Sequence, residues 1–593
     1  MALILLLLIS APDAVYLEHS IILDCSSPDS GYFETSREII VPLTAAGVNR
    51  YGRISASFRN TWESLEVTAS IGHWRSGRGD DCAILRETPH SSLLSGGRLE
   101  SSLREVVIEF PGIEIGDTLK VEIRRSISYL PMGDFYSYTF YAASRDSIHQ
   151  GVFKVLWPSA RDIHIQSEGF FESQRYALDG GTECMIFRSG PRNPILYLPF
   201  SPDPALISSF VTVSSHSPEE VSRGLYPVLD RNCMVEYTDL ADSIIAIAGN
   251  RPQDLCGWVS EEIEYLSGNW GYDPGYSPRN PIETLDEMSG VCRDRAVLLL
   301  WLLRRTGHMP TAILTSVSDN LEPYPGSRSF DHMLVMLNDS TGETLFLDPT
   351  NSFSPEGYTY TLRGCGYLPL TPSGSHLEYF PDDTSGDILS IVIEGSLCED
   401  SSIISGSISV SFSGTIEELF RSMLSGIEPS VRNLLIERLL GLLPGSELTI
   451  EGDLSSISTP LGIHGTGRWK CGIVQAGESV YLIIPGLETL DVVSSRAAAY
   501  ILPMFREDIY IETPYTAHLS MLLRDLPPGH PELPEPFESG NCSIKITLVD
   551  DALLFEEYLS LQPAVPNRDQ LSDIREGILA ALTASTRTVM FRR

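Results

Sequence analysis

The sequence predicts a multidomain α+β protein: an N-terminal β-sandwich, a central mixed α+β core, and a β-rich C-terminal domain with helices. Three observations carry that expectation. The chain has 593 residues, which at ~150 residues per domain corresponds to roughly three to four domains. Hydrophobic residues make up 42% and charged residues 20%, with a mean hydropathy of +0.00, a profile of globular domains and not of a disordered chain or a membrane bundle. Finally, strand-like segments give way to helical ones and then return.

From about residue 20 to 235 the segments are short and strand-like, among them Arg104–Phe110, Leu119–Arg124 and Val152–Leu156. Gly, Pro, Ser and Asp punctuate them without a sustained 3.6-residue period, which predicts an antiparallel sandwich. Helical patterns take over near Leu240. Leu255–Leu266 is amphipathic, and Ala296–Leu303 is apolar on every side, as a helix at the centre of a domain should be. Arg304, Arg305 and Gly307 supply the cations and glycine of a helix C-terminus. Strands are then expected at Thr311–Thr315, His332–Leu337 and Thr344–Leu347. Beyond about residue 375, strands at Leu389–Glu394, Ser407–Ser411, Val480–Ile484 and Ser543–Leu548 surround helices near Ile416–Leu424 and Val431–Leu443. The proline-rich stretch Leu526–Pro536 predicts a loop or domain edge, and a helix (Arg568–Leu582) and a strand (Thr586–Arg592) close the chain. No repeat of fixed period is present.

Residues 2–9, ALILLLLI, followed by the small residues Ser10, Ala11 and Ala14, have the character of a secretory leader, although a cationic start is missing. The alternative is a buried N-terminal strand. A leader over 1–17 implies export to the periplasm, cell envelope or exterior, with domains at 18–238, 239–372 and 373–593. No other stretch is apolar enough to span a bilayer. The 42 Lys+Arg against 78 Asp+Glu leave a net charge of −36, a surface that repels phosphate backbones, so no nucleic-acid partner is expected. None of the four lysines (Lys120, Lys154, Lys470, Lys545) follows a glycine, which removes the phosphate-binding P-loop. The ten cysteines and twelve histidines form neither a C-x-x-C pair nor an H-E-x-x-H helix, and G-x-S-x-G and G-x-G-x-x-G are absent. No metal or cofactor is expected, and cysteine chemistry remains.

In Gly290-Val-Cys-Arg-Asp-Arg-Ala-Val-Leu-Leu-Leu300, Cys292 stands at the first turn of the apolar helix. Unpaired N–H groups, the positive dipole end and the neighbouring Arg293 and Arg295 favour a thiolate there. The alternative is a small buried residue at a tight helix entry. His332 opens one strand and Asp348 ends another, where Pro349 stops the pairing. The turn Asn338–Gly342 joins the two into a hairpin that brings them to the same end. A thiolate, a base and a carboxylate that fixes the imidazole tautomer are the members of a Cys-His-Asp triad.

The series G-V-C-R-D-x-A-x-L-L-x-x-L-L-R-x-x-G, then D-H, then L-D-P-T resembles the transglutaminase-like superfamily of papain-type folds, over about residues 240–355. The flanks resemble exported bacterial proteins with β domains of unknown function on both sides of such a core. The resemblance implies Cys292 as nucleophile, His332 as base and Asp348 as orienting carboxylate. It also suggests Trp270 beside the Cys292 N–H as an oxyanion donor, with Tyr272 and Tyr276 in competition and a core tryptophan as the plainer reading. The expected activity is acyl transfer from an amide or peptide bond of a protein or peptide substrate. Hydrolysis is favoured over amine transfer, because no acceptor-lysine site and no acidic calcium loop is marked. The rival expectation is a cell-envelope binding scaffold with a vestigial enzyme fold.

Overall fold

The computed structural model describes residues 12–592 except 28–30, 74–80, 90–102, 129–134, 170–171, 195–207, 237–238, 267–276, 318–329, 339–341, 354–361, 382–385, 399–401, 455–458, 491–514, 562–567 and 582. The chain is multidomain and strand-rich. It divides into two compact units, one of Met1–Tyr197, Asp203–Thr350 and Gly364–Phe380, the other of Leu198–Pro202, Asn351–Arg363 and Pro381–Arg593.

In the first unit, Ala14–Asp24 lies inside a nine-stranded sheet, between Tyr32–Pro42 and Gly151–Pro158. Residues 14–16, near the end of the expected leader, are paired in this strand, whose register shifts between Tyr16 and Glu18. Residues alternate in Gly151–Pro158, so Phe153, Val155 and Trp157 share one buried face. They pack with Phe140, Val211 and Val213 from a second, three-stranded sheet. The expectation of purely antiparallel pairing needs correction, because Ala14–Asp24 runs parallel to Gly151–Pro158. Hairpin-length punctuation predicts only neighbours in sequence, and this pair is separated by more than a hundred residues.

The helical part of this unit begins earlier than residue 240. Helix α1 (Pro218–Cys233) opens with Ser217 as N-cap and Glu220 closing a capping box, with Pro218 in the first turn. It is followed by α2 (Asp239–Ala248), α3 (Pro252–Glu262), α4 (Pro281–Glu287) and α5 (Cys292–Arg305). Helix α3 stops at Glu262, and the segment expected to continue it turns into the two-residue strand β1 (Glu264–Tyr265), which pairs in parallel with β2 (Ser289–Gly290). Helix α5 is buried on all sides from Cys292 to Leu303.

It packs on a five-stranded antiparallel sheet of β3 (Thr311–Thr315), β4 (His332–Asn338), β5 (Thr344–Leu347), β6 (Gly366–Pro369) and β7 (Glu378–Tyr379), in the order β5-β4-β3-β6-β7. The core between them holds Val297, Leu299, Trp301, Leu314, Met333 and Val335. At ~25 cal/mol per Å² of apolar surface buried, this cluster is what fixes α5 against the sheet.

The second unit carries an eight-stranded sheet in which Ile388–Cys398 is flanked by Ile403–Phe412 and, in parallel, by Tyr515–Arg524. A four-stranded sheet adds Gly472–Ala476, Ser479–Ile483, Thr588–Arg592 and His530–Glu532. The last of these corrects the expected loop: Pro531 sits in a strand at the sheet edge, where its missing N–H costs no ladder bond. The helix expected over Val431–Leu443 spans Pro429–Leu439 and yields to a turn at Gly441, whose φ is +63°.

Candidate active site

Cys292 is the first residue of α5, directly after Val291 as N-cap. Val291 has no side-chain acceptor for the helix end. Asp294 reaches back instead, with Oδ2 accepting from Val291 N–H at 3.2 Å and Oδ1 from Arg279 N–H at 2.9 Å. Its negative charge also suits the positive helix end. This tight entry explains Gly290: a Cβ there would stand 2.8 Å from the Asp294 Cβ. The Cys292 N–H, in the first turn, has no acceptor within its own helix. Cys292 is a buried free thiol that donates to the Asp331 carbonyl at 3.9 Å.

His332 opens β4 and is paired with Thr315 of β3. The β4–β5 ladder runs from Asn338/Thr344 to Val335/Leu347 and stops. Continued, its register would set Thr350 opposite His332, with Asp348 one diagonal step away on the same face. Asp348, fully buried, closes that diagonal: its Oδ2 lies 2.9 Å from His332 Nε2. Oδ1 accepts from Thr350 N–H at 2.9 Å and from the Thr350 hydroxyl at 2.6 Å. With Nε2 bound to the carboxylate, Nδ1 is the ring nitrogen available to the thiol.

Burial disfavours the charged imidazole. The Asp348 charge and hydrogen bond, and then the Cys292 hydrogen bond and charge, outweigh it and hold His332 well above its ordinary value. The structure thus gathers Cys292, His332 and Asp348 at one end of the central helix. Trp270, Tyr272 and Tyr276 lie outside the described residues.

Tyr265, which the sequence reading did not assign to the site, and Arg295, read there as positive charge near Cys292, adjoin it. Tyr265 of β1 is in register with Gly290, two residues before Cys292. Its phenol is held above the ordinary value by burial, then by the charges of Cys292 and Asp348, with Arg295 opposing, so it stays a protonated donor. Arg295, three residues after Cys292, is buried, and its guanidinium carbon lies 5.6 Å from the Tyr265 ring centroid. The parallel pairing that delivers Tyr265 has no local sequence signal. Arg295 follows Cys292 at i, i+3 on α5, so the two start on one side of the helix. A cavity of about 190 Å³ lined by Leu266, Pro278, Arg279, Val291, Arg293 and Asp294, with two further residues, flanks the helix start. Among the described residues no cluster of His, Cys, Asp and Glu could hold a metal, and no helix is long and apolar enough to cross a membrane.

Fold and site together define a multidomain, strand-rich α+β protein in which a cysteine, a histidine and an aspartate meet at the start of a buried helix. Residues 28–188 match DUF3857, a domain of unknown function with a solved structure. No curated protein matches. Among solved structures, a provisionally assigned protease from Parabacteroides distasonis aligns over 98% of this chain and 100% of its own, at 11% identity and a TM-score of 0.68. At that identity the likeness is one of fold. A provisionally assigned cysteine protease from Cytophaga hutchinsonii covers 42% of this chain and 84% of its own, at 14% identity and a TM-score of 0.19, which adds nothing to the fold argument.

Proposed function

We propose that the protein is an exported cysteine hydrolase with a transglutaminase-like core at about residues 239–372, cleaving amide or peptide bonds through a thioester at Cys292. The observation that carries this reading is the 2.9 Å contact of His332 Nε2 with the buried Asp348 carboxylate, beside a thiol at a helix N-terminus.

In this mechanism the Cys292 Sγ proton passes to His332 Nδ1, and the thiolate attacks the substrate carbonyl. The oxyanion is met by the Cys292 N–H and by the positive end of α5, in the role the sequence resemblance also gives to Trp270. The imidazolium then protonates the leaving amine, which departs and leaves the acyl thioester. Water loses a proton to His332, attacks the thioester, and the acid and free thiol are released. Asp348 keeps Nε2–H pointed at itself throughout, so that Nδ1 alone shuttles the proton. Water is the simplest acceptor, because no second amine site is marked in the sequence.

The test is mass spectrometry of a glutamine-rich protein incubated with the enzyme and a tagged amine, with Cys292→Ala as control. Cleavage or deamidation that the control lacks supports hydrolysis, and amine incorporation makes the enzyme a transferase. If wild type and control give the same masses over a panel of proteins and cell-wall peptides, the chain is a binding scaffold.

A further inference from the structure

Helix α5 buries a cation that makes no direct ion pair among the described residues. Arg295 is 1% exposed. Its Nη2 donates to the carbonyls of Val259 at 2.9 Å and Ser260 at 2.6 Å, in the last turn of α3, and its face is covered by the Tyr265 ring. Nε is buried without an acceptor, and among the described residues no carboxylate lies within ion-pairing distance. A buried guanidinium is normally paired, because desolvation of an ion is costly. Two carbonyls and an aromatic face satisfy its N–H groups in part and leave its charge unbalanced.

We propose that Arg295 is a positioning residue of the active centre, the buried counter-charge shared by Asp348 and the Cys292 thiolate. This rests on the reading of Cys292 as nucleophile. One turn of α5 separates Arg295 from Cys292, so the two side chains start about 5–6 Å apart on neighbouring helix positions. Burial brings the guanidinium down to about 10, and the largest influence opposing that is the Asp348 charge, followed by Tyr265 and Cys256. The charge count of the thiolate–imidazolium form, reached once the thiol proton has passed to His332, follows. Asp348 and the thiolate are two anions, and the His332 imidazolium and Arg295 are two cations. Without Arg295 the thiolate form would leave one net negative charge buried, and the neutral thiol would be favoured.

The other groups around Cys292 do not supply this cation. On α5, Arg293 and Asp294 flank it as an ion pair at 3.9 Å, so Arg293 is already balanced by the carboxylate that also accepts from the Val291 and Arg279 N–H groups. Arg279, before α4, is bound to Glu287, and Glu283 caps α4 through Asn280. From β1 and α3 come the neutral Tyr265 and Cys256. From the sheet come His332, Asp348 and Asp331, the last with its carboxylate on Val317 N–H. A purely structural alternative is that Arg295 only ties the C-terminus of α3 to α5. That role leaves the protonation of Cys292 untouched, which makes the two readings separable.

The experiment is iodoacetamide alkylation of the full-length protein across pH, with peptide mass spectrometry following Cys292 and the exposed Cys82 as an internal reference. In Arg295→Met the acid limb of Cys292 alkylation should move upward by about one pH unit, with a rate about tenfold lower below the limb, while Cys82 is unchanged. Arg295→Lys, which keeps the charge and loses the two-carbonyl fork, should bring the limb back toward wild type. A Met variant with the wild-type limb overturns the proposal. If the Met variant does not fold, the Lys variant decides: a limb displaced by about one unit despite the retained charge means that Arg295 acts through packing alone. A wild-type Cys292 that alkylates no more readily at low pH than Cys82 fails the nucleophile reading itself, whatever the Arg295 variants do.

Discussion

Asp348→Asn is the substitution whose effect follows most directly from the geometry. Both Thr350 contacts fall on Oδ1, the N–H at 2.9 Å and the hydroxyl at 2.6 Å. The asparagine carbonyl therefore keeps that place and turns its NH₂ toward His332 Nε2. An NH₂ needs a lone pair to donate to, so the imidazole proton moves to Nδ1, the atom that has to accept the thiol proton. The base is then in the wrong tautomer. The lost carboxylate charge adds to this. Two unit charges ~4 Å apart at an effective dielectric of ~20 interact by about 4 kcal/mol, so the imidazolium–thiolate form should be depleted roughly 10²- to 10³-fold. The assay is second-order alkylation of Cys292 at neutral pH beside turnover of an amide substrate, with the melting temperature as a check on folding. Both rates should fall by about that factor, less than in His332→Ala, which removes the reacting group. An Asp348→Asn protein that folds and keeps both rates within about threefold of wild type would falsify the triad argument.

The other expectations are shorter. Cys292→Ala exchanges one small side chain for another and should cost about 1 kcal/mol or less while abolishing turnover, whereas Leu299→Ala, in the fully buried middle of α5, should cost roughly 2–5 kcal/mol; equal losses of melting temperature would make Cys292 a packing residue. His332 is held well above its ordinary value, so its stabilising contribution is complete below the unfolded value of ~6.5 and disappears as pH rises through the raised folded value. The difference in melting temperature between wild type and His332→Ala should shrink over that alkaline window, and the basic limb of activity should lie well above pH ~6.5. A limb at the ordinary histidine value would show that the imidazolium is not held by Asp348. Ser217→Ala removes the N-cap of α1 and should cost about 1 kcal/mol in denaturant unfolding without changing alkylation of Cys292.

What the sequence disclosed and what it hid divide along a physical line. Local patterns were legible: the strands Thr311–Thr315 and Thr344–Leu347 and the buried body of α5 lie where apolar runs and turn residues place them. His332 and Asp348 converge because a short hairpin fixes its own register. The capping box at Ser217–Glu220 was equally local, but it stood inside a stretch dominated by strand signals. Non-local pairings were not legible. The parallel partners of Ala14–Asp24 and of Ile388–Cys398 are distant in sequence, and so are β1 and β2, which carry Tyr265 to the site. An amphipathic run through Leu266 fits a helix until a strand elsewhere offers its last residues a ladder. Arg295 was visible as a charge near Cys292, but its burial depends on carbonyls from α3.

The nucleophile candidate is the first residue of a helix at the heart of its unit, since α5 is buried from Cys292 through Leu303. Amides in such an element are expected to exchange with solvent only through large-scale opening, near the global free energy. The thiol is thereby anchored to the part of the unit that gives way last. Loops around it can vary or open without displacing the thiol, whereas opening of the edge strand β5 would carry Asp348 away from His332, so partial unfolding should silence the triad while Cys292 itself stays in place.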